Sequence, residues 1–223
     1  MDSDQETMRV RFKTQPSVVR PRRRDAHVGI GAHPGFPDRE GFGRRIKGIP
    51  MTEVFEIVTD QVVALQQITS SAGGRLRHVK PHGALYNQAA KDPLLADTIA
   101  AAVKAVDENL ILFGLSGSEL IEAGSRTGLR TAAEAFADRT YTPDGSLTPR
   151  SEPNALIYDV EKAVSQIMGI ISNHKVTAID GATVSMKADT VCIHGDGENA
   201  LAFAQAVRKS LLNNNVEIAP VGS

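Results

Sequence analysis

Residues able to do chemistry crowd into one short stretch of this chain, Arg77-His78-Val79-Lys80-Pro81-His82-Gly83-Ala84-Leu85-Tyr86-Asn87. Side chains alternate along an extended strand, so His78, Lys80 and His82 share a face if extension persists through Pro81. Pro81 favours this, because the residue ahead of a proline is pushed out of the helical region. Gly83 then permits a sharp turn or a close backbone approach. Three potentially cationic groups on one face repel one another unless something anionic sits among them. An anionic substrate group or a carboxylate from another strand would serve; a solvated basic strand end is the plainer alternative.

The same pattern recurs along the chain. Successive apolar runs are each followed by polar residues: His33 and Asp38, then Lys80 and His82, Ser116 and Ser118, Asp138 and Arg139, and finally His194 and Asp196. In barrels and open α/β sheets the C-terminal strand edge is where ligands bind, so five such ends point to a cleft rather than to unrelated turns. Sharper motifs are absent. There is no phosphate loop of the Gly-x-x-x-x-Gly-Lys-Ser/Thr type and no dinucleotide fingerprint. Gly114-Leu115-Ser116-Gly117-Ser118 falls one glycine short of a nucleophile elbow. His33, His82, His194, Asp38, Asp138 and Asp196 could hold a divalent metal, but no local ligand spacing fixes one, and its identity stays open.

These groups need a scaffold, and the chain supplies one. At 223 residues, 41% hydrophobic and 23% charged, it has the size and composition of one globular core. The net charge of −1 gives no bias toward nucleic acid or anionic membrane. No apolar run approaches the ~20 residues of a membrane span, and no apolar secretory segment is visible at the start. The single cysteine, Cys192, sits in an apolar run and reads as a buried, inert thiol. A reducing compartment, the cytoplasm, is expected.

Residues 1–27 read apart from the rest, as a disordered basic segment: seven Arg and Lys residues and two prolines lie between Arg9 and Arg24, without apolar periodicity. Belonging to a chain of net charge −1, it reads as a solvated tail rather than a nucleic-acid patch. From 28 to 223 strands and helices alternate. Strands are expected at Val28–Ala32, Leu76–Lys80, Leu110–Leu115, Leu129–Phe136 and Thr190–Ile193. Helices are expected from a Thr52 cap, from Asp92-Pro93, through Glu119–Ala123, from an Asp159 cap, and along Ala200–Leu211. Asp180-Gly181 marks a hairpin turn. Such repeats imply an α/β fold with a mainly parallel sheet, open or closed into a barrel.

Several stretches resemble the LamB/YcsF family. They are Gly31-Ala32-His33-Pro34-Gly35-Phe36-Pro37-Asp38 with Phe42-Gly43-Arg44, then Val79 to Asn87, Phe136 to Tyr141, Asp144 to Arg150, and Val191-Cys192-Ile193-His194-Gly195-Asp196. The likeness runs from about Val28 to near the C-terminus. It implies a (β/α) barrel of the seven-stranded glycosidase and deacetylase type. It also implies ATP-dependent opening of the cyclic amide 5-oxo-L-proline to L-glutamate, together with separate B and C subunits. On those terms His82, Lys80, His194 and Asp138 are the catalytic candidates, and His33, Arg139, Arg150 and Asp196 the substrate-binding ones. Family members open on strands of the types Asp-Leu-Asn-x-Asp-x-Gly-Glu and Ala-Cys-Gly-Phe-His-x-Gly-Asp, which are not found here. An incomplete barrel lacking its first two strands is therefore expected, from a truncated or altered gene model. A metal-dependent carbohydrate or amide hydrolase, an inactive homologue, and a homo-oligomer are the competing or additional expectations.

Overall fold

Among the described residues thirteen helices and strands follow one another. They are β1 (Ile30–Ala32), α1 (Met51–Ser71), β2 (Leu76–Val79), α2 (Gly83–Ala89), α3 (Pro93–Val106), β3 (Ile111–Leu115) and α4 (Glu119–Thr127). The remainder are β4 (Arg130–Phe136), α5 (Val160–Asn173), β5 (Lys175–Thr177), β6 (Thr183–Ser185), β7 (Thr190–Cys192) and α6 (Ala200–Asn213). The computed structural model describes residues 28–195, 197 and 199–221; the basic segment expected at 1–27 and the site candidate Asp196 lie outside the described residues.

Strands β1, β2, β3, β4 and β7 form one sheet in that order, every neighbouring pair parallel. β5 and β6 form a separate antiparallel hairpin around Asp180-Gly181, where Gly181 takes a φ of +90°. The sheet is strongly curled. Strands lie ~4.8 Å apart, so β2 and β7, three steps apart in the order, would stand ~14 Å apart on a flat sheet. Yet Lys80, one residue past β2, places its Nζ 3.0 Å from the Sγ of Cys192 in β7. The result is a parallel half-barrel with helices outside, open between β1 and β7 among the described residues.

Alternation decides which side chains meet the helices. Ala32, Val79 and Leu112 turn outward onto Val54, Val58 and Val62 of α1, Leu95, Ile99 and Val103 of α3, and Leu120 of α4. A second cluster joins Ala135 of β4 to Ile167 and Ile170 of α5 and Phe203 and Val207 of α6. The other face, the inside of the curl, carries Gly31, His78, Phe113, Glu134 and Cys192. His78 stacks on Phe113 (centroids 4.3 Å apart, 18° between planes), and a Cβ on Gly31 would lie 1.9 Å from its Nε2, so only glycine fits beneath that ring.

Two of the expected caps act as read. Asp92 accepts hydrogen bonds from the amides of Leu94 and Leu95, and Asp159 from that of Lys162. The third does not: α1 begins at Met51 behind Pro50, without a side-chain cap, so Thr52 already lies inside the helix. Pro50 holds the N-cap position in extended geometry, φ −57° and ψ 147°, and its carbonyl accepts the first helical hydrogen bond, from the Val54 amide at 3.0 Å. β7 also differs from expectation, being half-buried rather than buried, as befits the strand at one margin of the sheet. Among the described residues no helix is long and apolar enough to cross a membrane.

Candidate active site

A buried ion pair stands at the centre of the inner face. The Lys80 ammonium donates to Glu134 Oε1 at 2.7 Å and to Cys192 Sγ at 3.0 Å, and the Tyr86 hydroxyl donates to Glu134 Oε2 at 2.9 Å. Lys80 is 8% exposed and Glu134 2%. Burial alone would lower the Lys80 pKa, but the Cys192 and Glu134 contacts outweigh it and hold the value above the ordinary one, so the ammonium keeps its charge. Burial, assisted by Glu134, raises the Tyr86 hydroxyl well above its usual range. The Cys192 thiol is pushed up to about 12, chiefly by burial, and is inert as a nucleophile. An ammonium has three protons. Two are spent on Glu134 and Cys192, and the third has no hydrogen-bond partner among the described residues.

Beyond the C-terminal end of β4 lies a carboxylate–histidine pair. His194 Nδ1 approaches the two Asp138 oxygens at 3.0 and 2.8 Å, and its backbone amide donates to the same carboxylate. Burial raises the Asp138 carboxyl, but the hydrogen bonds and charge of His194 prevail and hold it below its ordinary value. A carboxylate accepts only, so Nδ1 carries the proton and the Nε2 lone pair is left for other chemistry. Phe136 joins this pair to the ion pair: the His194 ring stacks on it at 5.6 Å, and Lys80 Nζ lies 5.1 Å from its centroid.

On the other side of Lys80 two histidines meet. His33 Nδ1 binds the Lys80 carbonyl oxygen at 2.6 Å, His33 Nε2 faces His82 Nδ1 at 2.9 Å, and His82 Nε2 binds the Phe42 carbonyl oxygen at 2.6 Å. With both ring nitrogens engaged, His82 is not poised to activate water in this conformation. His78 and Lys80 do share the inner face, as alternation predicts. Burial, with help from Lys80, lowers His78 to about 4, so it is neutral and packed rather than cationic.

The other candidates are placed less directly. Arg139 is 3% exposed, and its guanidinium donates to the carbonyls of Thr148 and Ala155, tying down the loop before α5. Its pKa is lowered to about 10, first by burial and then by the charge of Arg150. Asp38 turns its carboxylate to the amides of Gly41 and Arg45 within its own loop. Ser116 donates to the Lys187 carbonyl at 2.6 Å. Among the described residues no three His, Cys, Asp or Glu side chains gather to hold a metal ion.

Glu134 and Tyr86 are the functional residues that sequence reasoning missed. The available signal was a lone acid in the apolar run Ala132-Ala133-Glu134-Ala135-Phe136, which buries a charge and therefore demands a cation.

The curled parallel sheet, with an oriented histidine and a buried ammonium along the C-terminal rim of its strands, defines the class: a (β/α)-barrel protein with an enzyme-type rim. The chain belongs to the LamB/YcsF family, whose model matches residues 16–223. The A subunit of 5-oxoprolinase from Tolumonas auensis is 55% identical over 191 residues, spanning 86% of this chain and 76% of that protein. Its counterpart in Geobacillus kaustophilus is 54% identical over 191 residues, 86% of this chain and 75% of that one. The crystal structure of the lactam utilization protein of Thermus thermophilus superposes with a TM-score of 0.81 at 44% identity, covering 89% of this chain and 79% of that one.

Proposed function

We propose that this chain is the A subunit of an ATP-dependent 5-oxoprolinase, opening 5-oxo-L-proline to L-glutamate with separate B and C subunits. The observation that carries this is the Asp138–His194 pair beside a charged lysine with one uncommitted proton; the names of the relatives supply the substrate. A lactam resists hydrolysis until its carbonyl is made electrophilic. Transfer of the ATP terminal phosphoryl group to the lactam oxygen does this, and water then adds to the carbon. The ring C–N bond breaks as nitrogen takes a proton, and a second water releases phosphate from the resulting acyl phosphate.

His194 Nε2 is the group to take the proton from water and return it to the ring nitrogen, with Asp138 holding its tautomer. The third Lys80 proton is available to the oxygen on which charge develops, and Glu134 with Tyr86 fixes the ammonium there. Arg150 is proposed to meet the substrate carboxylate, and Asp196, two positions after His194 in the sequence, to be a further substrate contact. Arg139 acts by holding the loop that carries Arg150. ATP is handled together with the partner subunits. The test is 5-oxoproline-dependent ATP hydrolysis and glutamate release by the chain mixed with B and C subunits. Glutamate release that requires all three supports the reading, and ATP-independent hydrolysis of amide substrates would remove it.

A further inference from the structure

The turn that carries Asp138 is gripped by two side chains from outside its strand. β3 pairs with β4 as far as Glu134, and Phe136 lies two residues beyond. The Phe136 amide donates to the Tyr141 hydroxyl oxygen at 2.7 Å, and its carbonyl accepts from Gln166 Nε2 at 2.8 Å. The same Gln166 nitrogen donates to the Arg139 carbonyl at 2.9 Å. Both of these acceptors are carbonyl oxygens, so the amide nitrogen is the end of Gln166 that faces them, and its two protons match the two bonds. Phe136 and Arg139 stand on either side of Ala137-Asp138. One side chain therefore holds the turn before and after the carboxylate.

Gln166 reaches this turn from α5. Helical spacing puts it on the stripe of Ala163, Ile167 and Ile170, all buried, and it is itself half-buried. Packing on that stripe asks for an apolar side chain, and an amide there costs desolvation that only its hydrogen bonds offset. Main-chain bonds hold the same turn: the Ala137 amide donates to the Cys192 carbonyl in β7, the Ile157 amide to the Asp138 carbonyl, and the Ile179 amide to the Tyr141 carbonyl. Tyr141 is fully buried. The outcome is an Asp138 carboxylate set 2.8 and 3.0 Å from Nδ1 of His194 and accepting the His194 amide as well.

We propose that Gln166 is a positioning residue for proton transfer: with the Tyr141 hydroxyl it fixes the turn from Phe136 to Tyr141, so that Asp138 holds His194 in the tautomer with Nε2 open. The kinetic half of this proposal rests on the 5-oxoprolinase reading; the tautomer half does not. The test is nitrogen-15 NMR of the histidine-labelled full chain, at a pH where titration of the His194 signals shows a neutral ring. Gln166→Met keeps the length and suits the apolar stripe but donates nothing. Tyr141→Phe loosens the same turn from its other side by removing one oxygen. Val164→Ala, on α5 in the same apolar cluster, is the control for packing. The unaltered chain should show His194 Nδ1 protonated and Nε2 bare. In Gln166→Met and in Tyr141→Phe the two ring signals should move toward each other as the tautomers mix, while Val164→Ala keeps them apart. In the three-subunit assay kcat of Gln166→Met should fall by about 10–100-fold with the KM for 5-oxoproline within about twofold. Unmoved His194 signals in both turn variants, or the same movement in Val164→Ala, would overturn the proposal and leave the glutamate-release assay intact. Failure of that assay in the unaltered chain, with the signals moving as expected, would remove the enzyme reading and keep the hold of Gln166 on the pair.

Discussion

At one end of the rim, Asp138 holds Nδ1 of His194 and leaves Nε2 open; at the other, His82 spends Nδ1 on His33 and Nε2 on the Phe42 carbonyl. Both histidines are half-buried and both follow an apolar strand. Their partners separate them. A carboxylate partner leaves a histidine one lone pair with which to accept a proton, whereas a ring engaged at both nitrogens is closed to that role. Lys80 connects the two arrangements, giving its carbonyl to His33 and setting its ammonium over the Phe136 ring on which His194 stacks.

Breaking that connection should have the largest effect. Glu134→Ala leaves the Lys80 charge buried without its carboxylate, which costs about 3–5 kcal/mol. The urea midpoint should fall accordingly, and activity with it; an unchanged midpoint would show that Glu134 does not hold the lysine. His78 sharpens the contrast as a histidine with neither arrangement. Its folded pKa is depressed to about 4, so between about pH 6.5 and 4 the unfolded chain binds a proton that the folded chain does not. Stability should be fully present above that window and fall as the pH drops through it, by up to about 3 kcal/mol. His78→Gln should flatten that fall in denaturant titrations at neutral and acidic pH, and an equally steep fall in the variant would place the acid sensitivity elsewhere. The smallest effect is expected of Cys192→Ser. With the thiol at about 12, the sulfur is an acceptor for Lys80 rather than a nucleophile, and turnover should stay within about threefold. A loss on the order of 100-fold would give Cys192 a covalent role.

Much of the scaffold was legible because local chemistry specified it. Asp92-Pro93, Asp159 and Asp180-Gly181 announce two helix starts and a turn through their own side chains and backbone. The run Ile111–Leu115 announces a strand buried on both faces. The rim, too, could be anticipated from polar residues trailing each strand. Which of them meet could not, because the curl of the sheet decides it. Lys80 and Glu134 are 54 positions apart, and Asp138 and His194 are 56 apart. Glu134 escaped for a further reason: a lone acid between alanines disturbs no periodicity, and its partner becomes visible only when β2 and β4 face each other. Arg139 illustrates the converse, an arginine legible as an anion ligand whose guanidinium is occupied by two main-chain carbonyls.

The contrast between the open and closed histidines is tested most directly by steady-state kinetics of glutamate release in the assembled three-subunit system. His194→Asn and His82→Gln would be compared there; Gln keeps amide donors and an acceptor in place of the ring nitrogens. His194→Asn should lower kcat by about 10²–10⁴ with little change in the KM for 5-oxoproline, as loss of a proton-transfer group does. His82→Gln should leave kcat within about tenfold, because both His82 ring nitrogens are already engaged and take no part in proton transfer. The opposite pattern, with kcat lost on changing His82 and retained on changing His194, would contradict the assignment of proton transfer to the open pair.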